Sequence, residues 1–170
     1  MTMYTPDINN SDVFTALRSF LQTVLGGIEV VQGKDNQVPM PEGDFVLMTA
    51  GAQKRLATNI DEYTFDLVDG DSKSIQQKIE YGIQLDVYGA NAANNAVIIS
   101  STLRDSFAYE QFPDNVKPLY CDDPMQLEFV NDQAQYERRF MIMAYLQFDP
   151  TVVVPAQMAT ELVSPTIYPV

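Results

Sequence analysis

The stretch Pro118-Leu119-Tyr120-Cys121-Asp122-Asp123-Pro124 sets a thiol beside two carboxylates, the grouping in this chain with the most evident chemical potential. A nucleophilic cysteine needs a base to draw off its proton, most often an imidazole, and a soft metal needs several thiolate or imidazole ligands. The chain has one cysteine and no histidine, so neither requirement is met. Asp122 and Asp123 are oxygen donors suited to a hard cation, yet Ca²⁺ takes about 6–8 oxygens and no Ca²⁺-loop spacing surrounds them. The structural reading is therefore preferred: Asp before Pro starts a turn, and a lone cysteine packs as a small hydrophobe.

Three other groupings invite a chemical reading. Gly33 and Gly43 form neither a G-x-G-x-x-G nor a G-x-x-x-x-G-K-[ST] pattern, and the basic residues Lys34, Lys54 and Arg55 are too sparse for a phosphate cradle. Asp61, Glu62, Asp66, Asp69 and Asp71 cluster with Lys73 around one expected hairpin tip, where acidity shapes a surface potential more readily than a catalytic pKa. In Glu137-Arg138-Arg139 the paired guanidinium groups could hold phosphate or the acids of another copy of the chain. The flanking Tyr136 and Phe140 and the acidic background favour the second. No catalytic, cofactor-binding or metal-binding residue is assigned. Subunit contacts are expected at Tyr136, Arg138, Arg139, Val152, Val153 and Val154.

These residues need elements to position them. Val13, Phe14, Leu17, Leu21, Val24 and Leu25 recur at helical spacing, so a first helix is expected, capped by Asn10 or Ser11 and closed by Gly26-Gly27. Strands are expected at 28–31 and, buried on both faces, at 45–49. Residues 53–67 and 74–88 read as one long antiparallel pair around Asp69-Gly70-Asp71, with Ile79, Tyr81, Ile83, Leu85 and Val87 alternating inward. A second helix carries Ala92, Ala96, Ile99, Leu103 and Phe107 and ends at Pro113. The Cys121 segment then reads as a proline-bounded connection. Strands follow at 127–130 and 136–148, joined by a turn at Asn131-Asp132. This order predicts an α+β fold: two helices on one face of a largely antiparallel, mixed β-sheet. Residues 1–149 are expected to form the single domain. Residues 150–170, with four prolines and no Lys or Arg, are expected to be an extended C-terminal arm that adds to a neighbour's sheet edge.

Charge and composition bound the function. The chain has 170 residues, 46% of them hydrophobic, enough for one core. Its net charge of −13 repels phosphate backbones, so tight nucleic-acid binding is not expected, although DNA can slide past such a surface without sticking. One cysteine points to a reducing compartment. Met1–Asp7 lacks the pattern of a signal peptide. The longest apolar run, Phe140–Leu146, is far short of the roughly 18–20 residues of a membrane span.

Several phrases taken together resemble the neck or tail terminator family of long-tailed bacteriophages. They are Asp12-Val13-Phe14-Thr15-Ala16-Leu17-Arg18, Gln32-Gly33-Lys34-Asp35-Asn36-Gln37-Val38-Pro39-Met40-Pro41 and Gln84-Leu85-Asp86-Val87-Tyr88-Gly89. Phe112-Pro113-Asp114, the Cys121 stretch and Tyr136-Glu137-Arg138-Arg139-Phe140 complete the set. The resemblance implies a virion protein assembled in the host cytoplasm. It would form a hexameric ring that caps the tail tube, touches tube and sheath proteins, and joins the head-side connector, with DNA passing through the lumen. Such a protein needs no enzyme activity, cofactor or membrane. A head-tail connector or tail-tube component is the alternative in the same class, and a carboxylate hydrolase or cation-binding module using Asp122 and Asp123 is the rival of another class.

Overall fold

The computed structural model describes residues 4–33, 41–65, 70–130 and 136–156. The expected features at 34–40, at 66–69, at Asn131-Asp132 and beyond Ala156 lie outside these residues, as do Lys34, Asp66 and Asp69.

Helix α1 spans Asn10–Val24 and buries Val13, Phe14, Leu17, Phe20 and Leu21. Its cap is Asn9, one residue before the expected pair, because Asn9 Oδ1 accepts from the Ser11 and Asp12 amides while Asp12 returns a bond to the Asn9 amide. This reciprocal box satisfies donors that the first turn would otherwise leave open. At the other end Gly26 and Gly27 adopt φ of 68° and 87°, and the Gly27 amide reaches the Gln22 carbonyl at 2.7 Å.

Strand β1 (Glu29–Gln32) pairs in parallel with β2 (Phe45–Arg55), and β2 pairs antiparallel with β5 (Ile79–Tyr88). The long hairpin expected from the sequence is divided. Its outer parts, β3 (Ile60–Thr64) and β4 (Ser72–Gln76), pair with each other in a separate three-stranded sheet. The inner parts belong to the six-stranded main sheet. The expected strand at 45–49 is continuous with 53–55 as the single strand β2, whose register shifts between Ala50 and Gln53. There the β2 backbone passes so close to Gly82 that a Cβ at Gly51 would meet the Gly82 carbonyl oxygen at 2.6 Å.

The expected second helix is two helices, α2 (Ala92–Leu103) and α3 (Ser106–Gln111). Asp105 interrupts it: its side chain accepts from the Phe107 amide at 2.9 Å and starts a new helix. The stripe consequently ends at Leu103, and Phe107 is left 40% exposed. The Cys121 segment is also more regular than expected, because Val116–Cys121 forms β6, paired with β8 (Tyr136–Phe148). Pro118 sits in it beside a register shift, the kind of position where a strand accepts proline. The connection is only Asp122–Pro124, followed by β7 (Met125–Val130), which pairs with the other half of β8.

The main sheet runs β1-β2-β5-β8-β6, with β7 also on β8. One face carries Val46, Met48, Ile83, Leu85, Val87, Ile142, Ala144 and Leu146, all buried, and packs with α1 and α2 into one core. This is the α+β architecture read from the sequence, with a third, short helix added. Strand β9 (Thr151–Pro155) pairs antiparallel with β4 of its own chain. The start of the expected arm is therefore held within the chain: the Asp7 amide donates to the Thr151 carbonyl, and the Thr151 amide donates to Asp7 Oδ1.

Candidate functional site

Strand alternation gives the main sheet a second face, and its side chains are unusual for one that looks outward. Along β8 it presents Arg139, Met141, Met143 and Tyr145. Along β5 it presents Tyr88, Asp86, Gln84 and Gly82, and β2 adds Leu47 and Thr49. Strand β7 sets Met125 and Leu127 beside Met141 and Arg139, and β6 sets Tyr120 beside Tyr145. An antiparallel sheet facing water normally alternates to polar residues there. Here the middle of the face is Leu47, Met141, Met143 and Leu127, all half-buried, with Met125 54% exposed. Among the described residues the helices pack on the opposite face.

An ion pair anchors one end of this face. Arg139 donates from Nε at 3.1 Å and from Nη2 at 3.0 Å to Oδ1 of Asp86, and Gln84 Nε2 donates to Oδ2 at 2.8 Å. Asp86 is 2% exposed, so its charge depends on these donors. The Arg139 guanidinium also lies 5.7 Å from the Tyr88 ring centroid. Sequence reasoning offered Arg139 to a neighbouring copy, and within its own chain it bonds Asp86. Arg138 is exposed. The signal available was register: Asp86 and Arg139 come together only once β5 and β8 are aligned.

At the other end Tyr120 and Tyr145 stack at 4.3 Å. Desolvation raises both hydroxyl pKa values; after it Glu80 and then Asp122 act on Tyr120, and Asp122 leads the charged groups on Tyr145. Tyr145 Oη lies 3.5 Å from Asp122 Oδ2, a long contact.

The Cys121 grouping is dispersed. The thiol points into the core, 4% exposed, with Sγ 3.6 Å from the Ser100 carbonyl oxygen, and burial pushes its pKa up against the pull of Arg104. Asp123 is turned outward and pairs with Arg104 at 2.7 Å, while Arg104 Nε and Nη2 both donate to the Cys121 carbonyl. Arg104, which the sequence reading did not single out, thus ties the end of α2 to the turn between β6 and β7. Among the described residues no group of three or more metal-ligating side chains comes together. On the small sheet Lys73 donates to Asp61 at 2.7 Å, which raises the Lys73 pKa. Gly33 donates its amide to the Met48 carbonyl, and Lys54 and Arg55 are exposed at the end of β2.

Fold and surface define a class: an α+β domain whose sheet is sealed by helices on one face and presents methionine, leucine and tyrosine on the other, as proteins that join other chains do. The family described as phage neck terminator protein matches residues 11–167, and the chain belongs to that family. It is a structural protein of the phage neck, the part of the virion between tail and head. Comparison with curated proteins gives no match. Among the described residues no helix is long and apolar enough to cross a membrane.

Proposed function

We propose that copies of this chain close into a hexameric ring at the neck, which caps the completed tail tube and joins it to the head-side connector, with the sheath alongside. The observation that carries this reading is the family match over residues 11–167, nearly the whole chain. Three further features support it. The net charge of −13 suits a lumen through which DNA passes without being held. The apolar second face offers a neighbouring copy Leu127, Met125 and the Tyr120–Tyr145 stack, in keeping with interface cores rich in Met and aromatic residues. Arg138 is exposed near the start of β8, and Val153 is 53% exposed on the outer strand of the small sheet.

The role requires no catalysis and no cofactor, and the assembly takes place in the host cytoplasm. Tyr136, Arg138 and Arg139 on β8 and Val152, Val153 and Val154 on β9 are contact residues in this reading, with Arg139 also holding Asp86. Residues 1–149 act as the domain body. Sedimentation of Met125→Lys, at an exposed position, tests the interface: the expected result is a folded chain whose assembly needs at least tenfold higher concentration. Assembly unchanged from wild type removes the second face from the ring contact.

A further inference from the structure

A cleft of about 550 Å³ lies between the start of α1, the end of the main sheet and the small sheet. Its apolar wall comes from Ile75, Ile79, Phe148 and Val152, and side-chain amides such as Asn59 and Gln77 border it. Among the described residues none that lines it is charged, although the chain carries 23 Asp and Glu. An uncharged cleft with an apolar wall and amides that both donate and accept suits an extended, uncharged peptide: side chains fill the wall, and amides pair with backbone groups.

The chain contains a nearly uncharged one. Residues 157–170 carry a single charge, Glu161, together with Leu162, Val163, Ile167 and Tyr168, and Pro165 and Pro169 disfavour a helix. Strand β9 fixes where this segment starts. Pro150 and Val152 line the cleft, and β9 then runs along β4 from Gln76 to Ser72, so that Ala156 bonds Asp71 at the far end. Ala156, the last described residue, thus lies about 15 Å from the cleft, at the end of a strand that runs away from it. Fully extended, residues 157–170 reach about 45 Å. We propose that residues 157–170 of one copy lie in the cleft of the next, so that each copy is both donor and acceptor around the assembly. This exchange rests on the ring reading above.

Cysteine trapping in the full chain tests it. One preparation carries Gln77→Cys and another, isotopically heavy, carries Thr166→Cys; the native Cys121 stays in place, buried. The two are mixed at assembling concentration and oxidised, and the linked peptides are identified by mass. The expected result is a disulfide between light and heavy chains, reduced at least tenfold when the acceptor also carries Asn59→Trp, an exposed position that narrows the cleft without touching the core. Assembly with no such link overturns the exchange and leaves the ring standing. A double variant, Gln77→Cys with Thr166→Cys, that stays monomeric and links only within itself overturns both the ring and exchange between copies. A link between chains that Asn59→Trp leaves unchanged overturns the cleft as the binding place.

Discussion

The pair between Asp86 and Arg139 gives the sharpest test of the account, because its two members differ in what each leaves behind. Asp86 is 2% exposed and holds its charge through two bonds from Arg139 and one from Gln84, whereas the Arg139 side chain is 24% exposed. Arg139→Met strands a carboxylate with one amide donor and no access to water, which costs about 3–5 kcal/mol. Asp86→Asn leaves a guanidinium that water can reach and an amide oxygen that still accepts, so the loss is nearer ~1–2 kcal/mol. Urea unfolding at one fixed protein concentration measures both, which holds any contribution of self-association constant. With a denaturant slope of ~2 kcal/mol/M, Arg139→Met should lower the midpoint by about 2 M and Asp86→Asn by less than half of that. The double variant Asp86→Leu/Arg139→Met should recover most of the loss, because well-packed apolar residues can replace a buried pair at little net change. A midpoint within ~0.3 M of wild type for Arg139→Met, or a larger loss for Asp86→Asn, would refute the reasoning.

Other outcomes follow from single contacts. Asn9→Ala removes the cap of α1 and should cost about 1 kcal/mol in the same assay. Gly89 joins β5 to α2 at φ 105°, and a Cβ there would collide with Asp44, which itself bonds the Asn91 amide at 3.1 Å and the Asn91 side chain at 2.7 Å. Gly89→Ala should therefore cost roughly 1–3 kcal/mol or more, read as lowered thermal stability. Burial raises the Cys121 pKa, so the folded state disfavours the thiolate. The unfolded thiol ionises near ~8.5, and stability must fall as pH rises from there toward the raised value. The difference in unfolding free energy between wild type and Cys121→Ala should shrink from pH 7.5 to pH 9.5, and a constant difference would contradict the burial of the thiol.

Local patterns carried most of the fold. The alternation in β5 and β8 and the stripe of α1 are periodic over ten or more residues, and most of each inward set is buried, with Val24, Leu25, Ile79 and Phe140 partly buried at the ends. What the sequence hid depended on partners distant along the chain. The division of the long hairpin into two sheets follows from where β2 and β9 find their neighbours, and β6 escaped notice because Pro118 argues against a strand unless an edge position and a register shift admit it. The break between α2 and α3 was legible in principle, since Asp105-Ser106 reads as a cap. At the candidate surface the residue types were visible and their grouping was not. The pairing of Arg139 with Asp86 needed the alignment of β5 with β8, whereas the burial of the Cys121 thiol agrees with its reading as a small hydrophobe. The second face is assembled from β2, β5, β6, β7 and β8, a combination that no single stretch of sequence displays.

The central claim is that this chain, a member of the phage neck terminator family, works by closing into one ring. Negative-stain imaging of the purified protein at high concentration tests it most directly. The account predicts single closed rings of one copy number, hexamers, that do not stack into cylinders. Open-ended tubes would assign the chain to the tail tube instead, and a monomer at every concentration, with tail tube protein present, would contradict the claim.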